Sequence, residues 1–353
     1  QNKFTSCIIE CMDVIKKSRE FIRCYTGEDL LQVPDSVYQP LVEGIINRGD
    51  LVIMSGAYKS NKSTFALQLT CAVSSGQAFL GSFRVHKPGM VWYFSTEGKD
   101  DETRERLIRM SKAVAINPEN IRLFCSSQLK LNTIDGLNRI NELIDCYKHE
   151  LPMLIVIDSV YSGFKGKLTD EDSVNNYITN LRGMSELCED ASIFLFHHLK
   201  KALKNERGLH IKQTESDTFG SVFFLGQADH VFVIEKSSKN KMDRVVTCET
   251  QRSGKMVEEL YLHLNEPEPL YLSIVGAHDN ERGVILKLLK NNLTGLTMNE
   301  IIKMSGISRS LAYSVANEIE QKGTITRTTG YRGKLILNQG ITVDQLKMST
   351  VPS

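Results

Sequence analysis

Lys62 and Ser63 stand near the end of the run Gly56-Ala57-Tyr58-Lys59-Ser60-Asn61-Lys62-Ser63-Thr64, which is close to GxxxxGK[ST]. A loop of that spacing turns its backbone N–H groups inward. Together with the positive end of a following helix, those groups cradle phosphate oxygens. Lys62 would reach the β- and γ-phosphates of a nucleoside triphosphate such as ATP, and the Ser63 hydroxyl would bind Mg2+. All of Gly56 to Thr64 is the expected nucleotide site. Asn61 stands where the pattern has its second glycine. Asn is among the non-glycine residues that best tolerate a left-handed backbone, so the loop can keep its shape while its rate of turnover is put in question.

Two acids and a histidine end other apolar runs. In Leu154-Ile155-Val156-Ile157-Asp158-Ser159 a buried strand closes on Asp158, the place from which a carboxylate holds Mg2+ through water. Val91-Trp92-Tyr93-Phe94-Ser95-Thr96 leads to Glu97, at the end of a strand expected to neighbour the phosphate-loop strand. An acid so placed would orient and polarise a water attacking the γ-phosphate. Ile193-Phe194-Leu195-Phe196-His197-His198-Leu199-Lys200-Lys201 ends a further strand in polar groups, where a His would hydrogen-bond the γ-phosphate or merely cap the strand.

The elements that must carry these groups follow from periodicity. Strand-like runs at Leu51–Ser55, Met90–Ser95, Leu154–Asp158, Ile193–His197 and Val231–Glu235 alternate with amphipathic stretches at Ser63–Ser74, Glu102–Val114, Gly136–His149 and Ser173–Cys188. Continuous apolar strands alternating with helices predict an α/β fold, a mostly parallel sheet flanked by helices on both faces. Val245–Thr250 and Leu260–Leu264 would extend it. An amphipathic helix over residues 4–25 and a loop marked by Pro34 and Pro40 precede this core. After residue 275 the pattern changes to three short helices, Glu281–Asn291, Thr297–Met304 and Ser308–Lys322, then a hairpin of Thr324–Arg327 and Lys334–Asn338 around Gly330. That order is the plan of a small C-terminal winged-helix domain. The expected division is 1–39 for helix and linker, 40–275 for the ATPase core, 276–338 for the winged helix-turn-helix and 339–353 for a tail.

Lys plus Arg number 43 and Asp plus Glu 42, so a basic surface has to be local. Two segments meet that condition. Leu199 to Lys212 carries Lys200, Lys201, Lys204, Arg207 and Lys212 against Glu206, and Lys303 to Lys334 carries Arg309, Arg327 and Arg332 among six bases against two acids. The first suits the backbone of single-stranded DNA, the second a duplex or a docked protein. The eight Cys form no CxxC pair, which favours buried thiols in a reducing compartment over a zinc site. No apolar run approaches the roughly 20 residues of a membrane span and no signal-peptide pattern is visible, so a cytoplasmic protein away from membranes is expected.

With these residues in view, the chain resembles RecA-like hexameric ATPases of the RepA type, relatives of the DnaB replicative helicases. The resemblance covers roughly residues 40–265 and rests on four motifs in the family's order: GAYKSNKST, the strand ending in Glu97, LIVIDS and FLFHHLKK. It implies that Glu97 is the catalytic carboxylate and that His198, before Leu199-Lys200, is the γ-phosphate sensor. Phe219-Gly220-Ser221 resembles the family's Gly-Ser after a DNA-binding loop. Thr250-Gln251-Arg252-Ser253-Gly254-Lys255 resembles the strand end that supplies an arginine finger to a neighbouring subunit, with Arg252 as the finger and Lys255 as a second cation. Asn61 departs from the family pattern.

The resulting expectation is an ATP- and Mg2+-dependent DNA helicase or replication ATPase of a plasmid, phage or mobile element. It would form a homo-oligomeric ring, in this family a hexamer, around single-stranded DNA. The alternatives are an ATP-gated DNA-binding regulator that does not unwind, and a recombinase-like filament ATPase.

Overall fold

A computed structural model of the chain describes residues 26–28, 39–96, 100–126, 128–198, 222–237, 240–252, 254, 256–276, 279–328 and 333–338, with the backbone alone at 100, 222–223 and 279–280. The helix expected over 4–25 and the tail from 339 lie outside these residues. Residues 1–39 and 40–353 form two units, and the sheet with its flanking helices belongs to the second.

Uninterrupted apolar runs become strands buried on both faces. A small antiparallel pair, β1 (Pro40–Val42) and β2 (Ile46–Asn47), leads into β3 (Leu51–Gly56), every residue of which is buried. The chain then runs through α1 (Lys62–Ser75), β4 (Val91–Ser95), α2 (Asp100–Met110), β5 (Ile121–Cys125), α3 (Ile134–Cys146), β6 (Leu154–Asp158), α4 (Glu171–Leu187) and β7 (Ser192–His198). It continues through the short α5 (Val222–Gly226), β8 (His230–Lys236), β9 (Asp243–Gln251), β10 (Glu259–Asn265) and β11 (Tyr271–Ile274).

Nine strands make one mixed sheet in the order β11-β10-β9-β8-β3-β7-β6-β4-β5. From β8 to β5 all neighbours are parallel, and β9, β10 and β11 add antiparallel strands at one edge. Side chains alternate across a strand, so β3 feeds two cores. Val52 and Met54 join Phe65 and Leu69 of α1 on one face. Leu51 and Ile53 join Val174, Tyr177 and Leu181 of α4 on the other. Burial on both faces is why these strands read as solid apolar runs. The far side of α1 is closed by β11: the Gln68 amide donates to the Leu272 carbonyl at 2.9 Å and accepts its N–H at 2.8 Å.

One expectation about the sheet is corrected. The strand leading to Glu97, β4, does not neighbour the phosphate-loop strand; β7 and β6 lie between them. After α1 the chain skips two places in the sheet, and later crossovers fill the gap. Periodicity also misses β5, a half-buried edge strand carrying Arg122, and the four-residue β11.

The C-terminal residues form α6 (Asp279–Lys290), α7 (Met298–Ser305), α8 (Arg309–Gln321) and an antiparallel pair, β12 (Ile325–Arg327) with β13 (Leu335–Leu337). They share their own core, including Ile285, Leu289, Ile301, Val315, Ile319 and Leu335. Thr297 and Glu300 cap the start of α7 reciprocally, and Gly306 ends it at φ 69°. No helix among the described residues is long and apolar enough to cross a membrane.

Candidate phosphate-binding site

β3 ends at Gly56 because nothing larger fits. A Cβ there would lie 2.7 Å from Ile234 Cγ2, 2.8 Å from the Ile234 carbonyl oxygen and 2.6 Å from Ser60 Oγ. The chain then bends through Lys59 at φ 61° and Asn61 at φ 70°, both left-handed, with the Ser60 N–H returning to the Ala57 carbonyl at 3.2 Å. Ser60 is fully buried, and its hydroxyl has no hydrogen-bond partner among the described residues. Asn61, the departure from the glycine pattern, adopts the left-handed geometry expected of it.

Lys62 opens α1 and folds back over the bend. Its Nζ donates to the carbonyls of Gly56 at 2.7 Å and Ala57 at 3.0 Å. The first turn of α1 carries no acid, so the positive end of the helix is not neutralised from within. Ser63 is half-buried in that turn, Thr64 is buried, and Tyr58 is exposed at the tip of the bend. Cramped backbone, a left-handed bend, a buried cation and a helix N-terminus with no acid in its first turn form a set suited to a polyphosphate.

Strand register aligns the other groups along one edge of the sheet. Gly56 pairs with His198, Asp158 with Phe196, and Ser95 with Asp158. Asp158 Oδ2 accepts from the Tyr93 hydroxyl at 2.8 Å. Burial, reinforced by the Asp158 charge, pushes the Tyr93 phenol well above its ordinary range, so it remains a proton donor. Thr96 locks the ends of β4 and β6 together. Its Oγ1 donates to the Ser159 carbonyl at 2.7 Å and accepts the Ser159 N–H at 2.9 Å. His197 is buried, its ring edge-on to Phe224, and its Nδ1 accepts the His198 N–H at 2.9 Å. His198 itself is half-buried beside the bend.

Thus His198 and Asp158 lie at the carboxyl ends of neighbouring strands, beside the first turn of α1 that carries Lys62 and Ser63. Arg252 is exposed just beyond β9, its N–H bound to the Asp229 carbonyl at 2.9 Å. Arg309 is exposed at the start of α8, its guanidinium 5.9 Å from the Tyr313 ring centre. Arg327 is engaged with Glu320, at 3.0 and 3.2 Å, and with Asn317 at 3.3 Å. Glu97, Lys200, Lys201, Lys204, Arg207, Lys212, Phe219-Gly220-Ser221, Lys255 and Arg332 lie outside the described residues.

Three residues at this site carry no mark in the sequence: Tyr93, Thr96 and Arg244. Arg244 Nε donates to Asn61 Oδ1 at 2.9 Å, and Nη2 donates to the same oxygen. The strand pattern shows which face Tyr93 occupies but not that β6 lies alongside it. Nothing in the local pattern around Arg244 points to the phosphate bend.

The arrangement defines a RecA-like P-loop ATPase core: a central parallel strand, a lysine-bearing bend, a buried helix, and a strand-end carboxylate two places along the sheet. The chain belongs to the family described as "AAA domain", whose sequence pattern matches residues 21–203. Among solved structures, the "ATPase Domain of G40P" is 16% identical, with a TM-score of 0.50 over 65% of this chain and 86% of that one. A KaiC-like protein, PH0186, from Pyrococcus horikoshii OT3 is 14% identical, with a TM-score of 0.47 over 67% of this chain and 94% of that one. No curated protein sequence matches the chain.

Proposed function

We propose that this protein is an ATP-hydrolysing DNA motor, a ring-forming replication helicase of the RepA-like kind. The observation that carries the reading is Lys62 at the mouth of the bend, its ammonium held on the Gly56 and Ala57 carbonyls. Those carbonyls keep the cation in place until phosphate oxygens take it over as stronger partners. The buried Ser60 hydroxyl, which has no partner among the described residues, and the cramped Gly56 fit a loop shaped around such oxygens.

Each residue then has a task. The N–H groups of the bend and Lys62 hold the triphosphate. Ser63 and Asp158 would hold Mg2+, with Tyr93 fixing one Asp158 oxygen. The ion would supply charge neutralisation on the phosphates. Glu97 orients the attacking water. His198, paired in register with Gly56, senses the γ-phosphate and passes its loss to the 199–219 segment that grips single-stranded DNA. Arg252 reaches the site of a neighbouring subunit, so turnover requires assembly, as a hexamer by the family resemblance.

The C-terminal residues read as a winged helix-turn-helix, with α7, the short 306–308 connection and α8 followed by the β12–β13 hairpin. Exposed Arg309 at the start of α8 favours duplex contact. That feature also supports the second reading, an ATP-gated DNA-binding regulator without unwinding.

ATP turnover with and without single-stranded DNA, in wild type and Lys62→Ala, tests the proposal alongside strand displacement. The motor predicts DNA-stimulated turnover that Lys62→Ala abolishes, together with displacement. Turnover indifferent to DNA refutes it; sequence-specific duplex binding without displacement favours the regulator.

A further inference from the structure

Asn61 sits at an N-cap yet does not behave as one. An N-cap residue usually has extended backbone and turns its side-chain oxygen back to the first N–H groups of its helix. Asn61 has φ 70° and ψ 29°, and its side chain makes no cap bond. Its oxygen is taken instead by Arg244, 183 positions later, through Nε at 2.9 Å and Nη2. Its amide nitrogen lies 3.5 Å from Thr64 Oγ1 in the first turn of α1. The side chain is therefore stretched between a guanidinium and the helix it opens.

The guanidinium is fixed from behind. Arg244 is the second residue of β9, where it pairs with Lys236 of β8 and Leu262 of β10, and it is only 3% exposed. Nη1 donates to the carbonyls of Lys241 and Asp243, each at 2.7 Å, which orients the planar group and leaves the Nε/Nη2 edge facing Asn61. The neighbouring Asp243 carboxylate is bonded to His263 Nδ1 at 2.7 Å. Arg244 thus spends its donors on backbone carbonyls and one neutral amide, an unusual use for a buried cation. Burial pulls its pKa down, and the Glu266 and Asp243 charges partly offset this.

We propose that Arg244 and Asn61 form a clamp that stands in for the missing P-loop glycine. Arg244 is a positioning residue: by holding the Asn61 amide, it fixes the left-handed turn that aims the N–H groups of residues 61–63 into the bend. A glycine adopts that turn without help, whereas an Asn needs a reason to stay there. The clamp rests on the reading of the bend as a triphosphate site, but its effect on the bend exists without nucleotide.

The full-length chain is compared as wild type, Arg244→Met, Arg244→Lys, Asn61→Gly and Asn61→Gly with Arg244→Met. Two readouts are taken: hydrogen exchange of a peptide spanning 57–66 without nucleotide, and affinity for a fluorescent N-methylanthraniloyl ATP with Mg2+. In the wild-type background, Arg244→Met speeds exchange in that peptide and weakens affinity about tenfold. Arg244→Lys keeps the charge but loses the fork, so it behaves like Met; it also serves should the Met variant not fold. In the Asn61→Gly background, Arg244→Met changes either readout by less than about twofold.

Equal losses in both backgrounds, no loss in either, or a Lys variant matching wild type overturn the clamp. Exchange that follows the predicted pattern in a wild type that binds no nucleotide upholds the clamp and refutes the nucleotide reading.

Discussion

The Tyr93 hydroxyl on β4 lies 2.8 Å from Oδ2 of Asp158 on the adjacent strand β6, and the phenol is fully desolvated while making that bond. A donor that stays protonated pins one carboxylate oxygen, so under the proposed function Oδ1 is the oxygen that would face Mg2+ or its water. Removing a hydrogen-bond partner behind a metal ligand typically costs about 10–100-fold in metal affinity or activity.

Tyr93→Phe keeps the ring and removes only the donor. It is expected to raise the Mg2+ concentration needed for half-maximal ATP turnover by roughly tenfold. Its cost in stability is about 1 kcal/mol, the worth of one hydrogen bond. Turnover titrated with Mg2+ at saturating ATP, with a thermal melt alongside, checks both. An unchanged Mg2+ midpoint would separate Tyr93 from the metal.

Gly56→Ala puts a methyl group against Ile234 and Ser60. The contacts are with a backbone carbonyl and a β-branched side chain, neither of which yields easily. A loss of about 1–3 kcal/mol is expected, seen as an earlier denaturant midpoint at unchanged slope.

Much of this architecture is legible in the sequence. β3, β6 and β7 carry solid apolar runs because both faces are covered, and the Lys62-Ser63 pair needs only its spacing. That Asn61 can turn left-handed follows from the chemistry of Asn. What stays hidden depends on which strands lie side by side. Tyr93 meets Asp158 because β6 inserts between β4 and β7, and Arg244 meets Asn61 because β9 turns back antiparallel onto β8. Neither pairing leaves a trace in local periodicity. For the same reason the sequence suggests a neighbouring strand for Glu97, whereas β4 lies three places from the phosphate-loop strand.

The C-terminal arginines should divide by their partners. Arg309 is exposed, so under the proposed duplex contact Arg309→Ala is expected to weaken duplex DNA binding and lower the log–log salt slope by about one. Arg327 already binds Glu320 and Asn317. Arg327→Ala should therefore shift the salt slope less than Arg309→Ala does, which salt titrations of the two variants will show.

Glu300 holds the start of α7 through the Thr297 N–H at 2.8 Å and the Thr297 hydroxyl at 2.8 Å, and these bonds lower its carboxyl pKa. A lowered folded-state value means stability that is complete above the ordinary carboxylate pKa and lost as pH falls through the folded value. Glu300→Gln should melt below wild type near neutral pH, and the gap should close as pH falls below the ordinary carboxylate range. A gap that widens in acid would reverse the sign.

Calorimetric titration of wild type and Lys62→Ala with a non-hydrolysable ATP analogue and Mg2+ bears most directly on the central claim. A triphosphate site formed by Gly56 to Thr64 predicts saturable binding with measurable heat in wild type, weakened roughly tenfold or more once the ammonium is gone. Equal affinity in the two proteins, or no heat in either, would contradict it.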